Sequence, residues 1–170
     1  MDKYHGFIRT IHWLMFVLFA IIFVLGVVMI EFKECCEPWG MYSFHKSTGV
    51  LVFLLVLLRI IARKKTSVPP HPEYMTLIQH NIAQSVVYIL YLLMILVPIS
   101  GYALSNIHGH QVSFYGFQLP MLFPENPELE GITSALHYYL TYSFLGFFLL
   151  HLIGVIKHQV DNKNILSRIT

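Results

Sequence analysis

Long apolar runs separated by short polar ones set the pattern of this chain. Ile11–Ile30 holds twenty residues without Asp, Glu, Lys or Arg. Phe44–Ala62 is apolar apart from His45, Lys46 and Arg59. Ile82–Leu104 and Ile132–Ile156 run for twenty-three and twenty-five residues without such a charge. A bilayer core takes about 20 apolar helical residues, and backbone groups in lipid must bond within their own helix. The pattern predicts an all-α membrane four-helix bundle, with spans over about 8–30, 43–63, 80–104 and 132–158 in one domain covering 1–170. The first run is too long for the apolar part of a signal peptide, and no small-residue cleavage site follows it.

Composition points the same way. Hydrophobic residues make up 56% of the 170 and charged residues 12%, with a mean hydropathy of +0.63. Soluble domains carry about 25% charged residues. The placement of charge adds an orientation. Eight cations lie at the N-terminus (Lys3, Arg9), in the second connection (Arg63, Lys64, Lys65) and at the C-terminal end (Lys157, Lys163, Arg168). Only Lys33 and Lys46 lie in or beside the first connection. The third, Ser105–Gly131, has no Lys or Arg and carries Glu125, Glu128 and Glu130. The positive-inside rule then puts both termini in the cytoplasm. The net charge of +2 is explained by topology, and nothing points to nucleic acid.

The connections differ. Prolines in TSVPPHPEYM stop the second helix. The third contains VSFYGFQLPMLFPENPELEG, whose aromatics and prolines predict an ordered cap at the outer interface. No internal repeat or low-complexity tract occurs.

Against this background the histidines stand out. His137 and His151 share the fourth apolar run, fourteen residues apart. Fourteen steps of 100° fall roughly 40° short of four turns, so both point to nearly one side, with a rise of roughly 21 Å between them. The fourth helix runs inward, placing His137 near the outer surface and His151 near the cytoplasm. His12 begins the first helix and shares the inner level with His151. His45 begins the second from outside and shares the outer level with His137. Two facing imidazole pairs suit two haem irons, held between helices of a bundle core. A proton path or another metal site is the alternative, although the spans offer no thiolate or carboxylate at these levels.

Neighbouring positions follow the same geometry. Gly26, fourteen after His12, and Gly49, four after His45, leave room for a flat macrocycle or simply let helices pack closely. Arg59, fourteen after His45, lies at the inner level. It needs a partner, such as a haem propionate, or it snorkels to the nearby basic interface.

The order of several short motifs resembles the bacterial cytochrome b561 family across essentially the whole chain. These are His12-Trp13, HKSTGVLVFLLVLLRIIAR, LVPISGY, FYGFQLPML and LHYYL…FFLLHLIGVIKH followed by DNKNILSRI. The resemblance implies an inner-membrane protein with two b-type haems, ligated by the histidines matching His12, His45, His137 and His151. It is greatest to small stand-alone members that act as superoxide:ubiquinone oxidoreductases. That implies superoxide as electron donor and ubiquinone as acceptor. Lys46, beside His45, then becomes a candidate for guiding the anion, or it is an interfacial anchor; Lys33 is a weaker candidate. His158, seven residues beyond His151, exchanges a proton with the quinone or is an ordinary interfacial histidine, and His80 has the same two readings. The other function class open to such a chain is an electron-transfer anchor for a partner dehydrogenase or hydrogenase. A haem-free transporter is a third.

Other residues have plainer readings. His5, His71, His108 and His110 read as interfacial or loop residues, although IHGH also offers a two-histidine metal motif. The vicinal Cys35-Cys36 departs from the family pattern. Neighbouring Cα atoms lie closer than a relaxed disulfide prefers, so the pair reads as two thiols, with redox or intermolecular pairing as the alternative. No C-x-x-C-H occurs for covalent haem attachment.

Overall fold

The four apolar runs form four long helices in a computed structural model that describes residues 3–31, 39–70, 74–161 and 163–170. They are α1 (Gly6–Glu31), α2 (Trp39–Lys65), α3 (Leu77–Ile107) and α4 (Glu130–Val160). Each is long and apolar enough to cross a membrane. The helices run one to five residues beyond each apolar run at either end. Hydropathy marks the lipid-depth segment, whereas a helix continues until a cap or a turn stops it. At the start of α3 that cap is a box: the Gln79 backbone N–H donates to Thr76 Oγ1 at 3.3 Å, and the Thr76 N–H donates to Gln79 Oε1 at 3.2 Å. At α1, His5 Nδ1 accepts from the Phe7 N–H at 3.3 Å.

The helices pack in chain order, α1 on α2, α2 on α3 and α3 on α4. Ile11, Met15, Val52, Val56, Leu90, Leu93, Met94 and Phe144 form the buried centre. Between α1 and α4 the contact is made by rings. Phe19 stacks on Phe144 at 4.6 Å, Phe16 lies 5.9 Å from Phe148, and Phe23 lies 6.0 Å from Tyr142. Large side chains thus bridge these two helices. Outward positions such as Ile21, Val24, Leu54, Leu92 and Ile153 are exposed apolar residues, a surface that fits lipid and would aggregate in water.

The two ends of the bundle are closed differently. At one end, β1 (Ser113–Phe114) pairs antiparallel with β2 (Phe117–Gln118). Tyr115 and Gly116 form the turn, with φ of 46° and 100°, as a two-residue hairpin of matching twist requires. Ser47 Oγ donates to the Ser113 carbonyl at 2.8 Å and accepts from the Tyr115 N–H at 3.2 Å, clamping this hairpin onto α2. Fully buried Asn106 donates to the His110 carbonyl and accepts from the Leu122 N–H at 2.9 Å. The third connection is thus an ordered cap. At the other end, the segment after α4 folds back on α1. The Tyr4 N–H donates to the Arg168 carbonyl at 3.0 Å, Trp13 Nε1 donates to the Ile169 carbonyl at 3.1 Å, and Arg9 donates to the Thr170 carbonyl.

Candidate functional site

Two clusters of histidine lie inside the bundle, one toward the hairpin end and one toward the end where the termini meet. In the first, the rings of His45 on α2 and His137 on α4 face each other with centroids 6.5 Å apart and planes at 86°. Their surroundings orient them. Ser100 Oγ donates its one proton to the Val97 carbonyl at 2.8 Å. Its 3.0 Å contact with His137 Nδ1 is therefore a bond in which the ring N–H donates. The assigned tautomer leaves the Nε2 lone pair of His137 free to ligate. The Nδ1 atom of His45 is buried without a well-formed hydrogen bond among the described residues, and the Ile22 backbone lies beside this ring.

Glycines set how closely the helix backbones approach these rings. A Cβ on Gly26 would stand 3.3 Å from His45 Cε1, and one on Gly101 would stand 3.0 Å from His137 Cε1. Gly26 therefore lies at the level reached by counting fourteen residues from His12. Gly49 differs: a Cβ there would meet Ile22 at an ordinary 3.7 Å, which fits helix packing. Ser100 and Gly101 are absent from the sequence-based site. Their only signal was the position of LVPISGY, because neither type announces a site without the histidine it touches.

The second cluster joins His12 on α1, Arg59 on α2 and His151 on α4. Arg59 Nη1 donates to His12 Nδ1 at 2.8 Å, and the guanidinium lies 5.8 Å from the centre of the Tyr91 ring on α3. His151 lies within electrostatic reach of both His12 and Arg59. Arg59 turns into the bundle instead of snorkelling outward. Its Nε is buried with no partner among the described residues.

Haem can be tested against these donors. Metal–imidazole bonds of about 2.0 Å on both sides, plus the ring radii, put two axial rings roughly 6 Å apart centre to centre. The 6.5 Å separation of His45 and His137 fits that spacing, and glycine backs each ring. Among the described residues no group of three or more metal-ligating side chains forms. Pairs are what the bundle offers, and a pair of imidazoles is a complete axial set for a porphyrin iron. At the other level, the unpartnered Arg59 Nε is a ready donor for an anionic propionate. The residues fit the group at both levels, with one difference: Arg59 must leave His12 Nδ1 before that ring can ligate through Nε2 with Nδ1 protonated.

The remaining candidates are placed as follows. Lys46 is half-buried beside His45, next to the hairpin that Ser47 holds. Thr48 Oγ1 lies 3.3 Å from the Tyr115 hydroxyl. His158 packs 6.3 Å from the Tyr74 ring in the α2–α3 connection; its Nδ1 and the Tyr74 hydroxyl are both buried without a hydrogen-bond partner among the described residues. Burial pushes the Tyr74 phenol above its ordinary value, and Arg168 opposes that rise. His80 lines a groove between α2 and α3. His108 contacts Ser134 Oγ at 3.2 Å and Glu130 at 3.8 Å, and the His110 carbonyl accepts from Ser105 and Asn106. Lys33, Cys35, Cys36 and His71 lie outside the described residues.

Comparison with known proteins places this geometry. Residues 3–170 match the family model described as prokaryotic cytochrome b561. The chain is 27% identical to cytochrome b561 homolog 2 of Escherichia coli (strain K12), over 98% of this chain and 90% of that protein. It is 25% identical to cytochrome b561 homolog 1 of the same organism, over 93% and 91%. It is also 27% identical to the probable superoxide oxidase CybB of Yersinia pestis, over 98% and 94%.

Proposed function

The chain belongs to the prokaryotic cytochrome b561 family, a haem b family of membrane electron transfer, and is a multi-pass protein of the bacterial inner membrane; from that premise we propose that it oxidises superoxide outside the membrane and reduces ubiquinone. The facing pair His45 and His137, 6.5 Å apart and closed in by glycine, carries this reading. His45 with His137 would hold an outer haem b, and His12 with His151 an inner one. Residues 1–170 form one four-helix di-haem domain, with both termini in the cytoplasm. The probable superoxide oxidase name of one relative supports the choice of donor.

Haem held by these histidines would supply a one-electron couple at each level. The chain's own residues then have separate tasks. Lys46 presents a positive charge beside His45 and draws a small anion. Ser100 keeps His137 in its ligating tautomer. Arg59 holds positive charge at the inner level, where a propionate would be its partner. His158 holds an exchangeable proton at the cytoplasmic end for the quinone. In the balanced reaction, two superoxide anions each lose one electron and leave as dioxygen. One ubiquinone gains those two electrons, takes two protons from the cytoplasmic side and leaves as quinol.

Stopped-flow mixing tests this. Superoxide should reduce the purified protein's haems rapidly, ubiquinone should reoxidise them, and Lys46→Gln should slow the first step and weaken its salt dependence. Slow haem reduction under a steady superoxide flux would overturn the reading. Stable co-purification with a periplasmic dehydrogenase or hydrogenase subunit would then favour an anchor role.

A further inference from the structure

A groove of about 660 Å³ opens between α2 and α3 at the end where the termini meet, lined by Ile60, Arg63, Lys64, Gln84, Tyr88 and Tyr91 among others. Its walls carry an unbalanced charge. Neither α2 nor α3 contains a single Asp or Glu along its whole length, and the last turn of α2 carries Arg63, Lys64 and Lys65. Arg63 contacts the Tyr4 ring, with its guanidinium 5.7 Å from the ring centre. Lys64 is exposed. Among the described residues neither cation forms an ion pair. Tyr91 forms part of the wall and also lies beside Arg59, so it separates the groove from the inner histidine cluster.

We infer that this groove binds the phosphate headgroup of an anionic phospholipid. Cations that have no ion-pair partner among the described residues, placed at a membrane interface, attract such headgroups, and basic pockets between spanning helices hold them. The apolar parts of the site continue in the direction the acyl chains must take. Leu57 lies three residues before Ile60 and seven before Lys64, on one face of α2 and deeper along the span. Leu92 follows Tyr91 on α3, and both leucines are exposed. Tyr88, 66% exposed, sits where an aromatic hydroxyl reaches the headgroup layer. A neutral quinone head meets the apolar wall equally well but leaves the Arg63 and Lys64 charges unbalanced, so charge complementarity selects the phospholipid. The site stands apart from the histidine pairs and does not depend on which donor or acceptor they serve.

Spin-labelled lipids provide the test, using the haem-loaded full chain in phosphatidylcholine vesicles. The wild type should immobilise labelled phosphatidylglycerol in preference to labelled phosphatidylcholine. Lys64→Glu, a change at an exposed position, should cut that preference about tenfold, since each cation near an anionic headgroup contributes measurably. The haem absorption spectrum should stay unchanged, which verifies folding. If Lys64→Glu does not fold, Arg63→Gln combined with Lys64→Gln serves in its place, with the same expected loss. Equal immobilisation of the two labels by wild type would overturn the proposal. So would an unchanged preference in the variants, or displacement of the label by a short-chain ubiquinone at equal concentration.

Discussion

The two histidine levels use the same donor atoms and differ in readiness. At the hairpin end, His45 and His137 already face one another across 6.5 Å. Ser100 sets the tautomer of His137, and Gly26 and Gly101 let the helix backbones lie close against the rings. At the other end, Arg59 donates to His12 Nδ1 at 2.8 Å, an arrangement that puts the proton on the wrong nitrogen for ligation through Nε2. A neutral hydroxyl supports one site and a cation guards the other. The difference teaches that matched depth and facing are not sufficient to prepare a ligand pair; the partner on the second ring nitrogen decides whether it is ready.

Removing a ligand should produce the largest effect. His137→Ala should lose one of two haems, and His151→Ala the other, as read by haem quantification with a reduced-minus-oxidised spectrum. Two haems retained in either variant would break the pairing. A smaller effect should come from the partners that distinguish the levels. Ser100→Ala should weaken haem retention at the outer pair roughly 10- to 100-fold, the usual cost of losing a bond to a ligating histidine, in a transfer assay to a haem acceptor. Arg59→Gln should act on the inner level and lower one midpoint potential by about 60 mV, the value of a tenfold change for one electron, because a nearby cation favours the reduced, less positive iron. Two unchanged potentials in a redox titration would remove Arg59 from the inner site. The smallest effects should separate the glycines. Gly101→Ala forces a Cβ to 3.0 Å from His137 and should destabilise the protein by about 1–3 kcal/mol. Gly49→Ala meets Ile22 at 3.7 Å and should be neutral or stabilising by up to about 1 kcal/mol. Thermal unfolding of the two variants checks both.

Much of this site was legible in the chain because it depends on helical repetition. Fourteen residues separate His12 from Gly26, His45 from Arg59 and His137 from His151, and a helix keeps such residues on one side. Gly26 duly meets His45, and Arg59 meets His12. What was not legible comes from α3, the helix with no histidine inside its apolar run. Ser100, Gly101 and Tyr91 act by touching residues on α2 and α4, and no spacing within α3 reports the rotation that aims them. Arg59 shows the same limit. A long side chain near a basic interface has two routes, and only the packing beside Tyr91 settled that it turns inward.

Sequence by itself determined the four helices and the two depths. Hydrophobic length sets a span and rise per residue sets a level, and both are local properties of one helix. Tertiary structure alone decided which second partner each imidazole has, how close α1 and α4 come, and where the hairpin sits over His45. Those depend on the relative rotation and separation of helices. Aromatic packing of Phe19 on Phe144 and the clamp of Ser47 on Ser113 fix them through contacts between residues far apart in the chain.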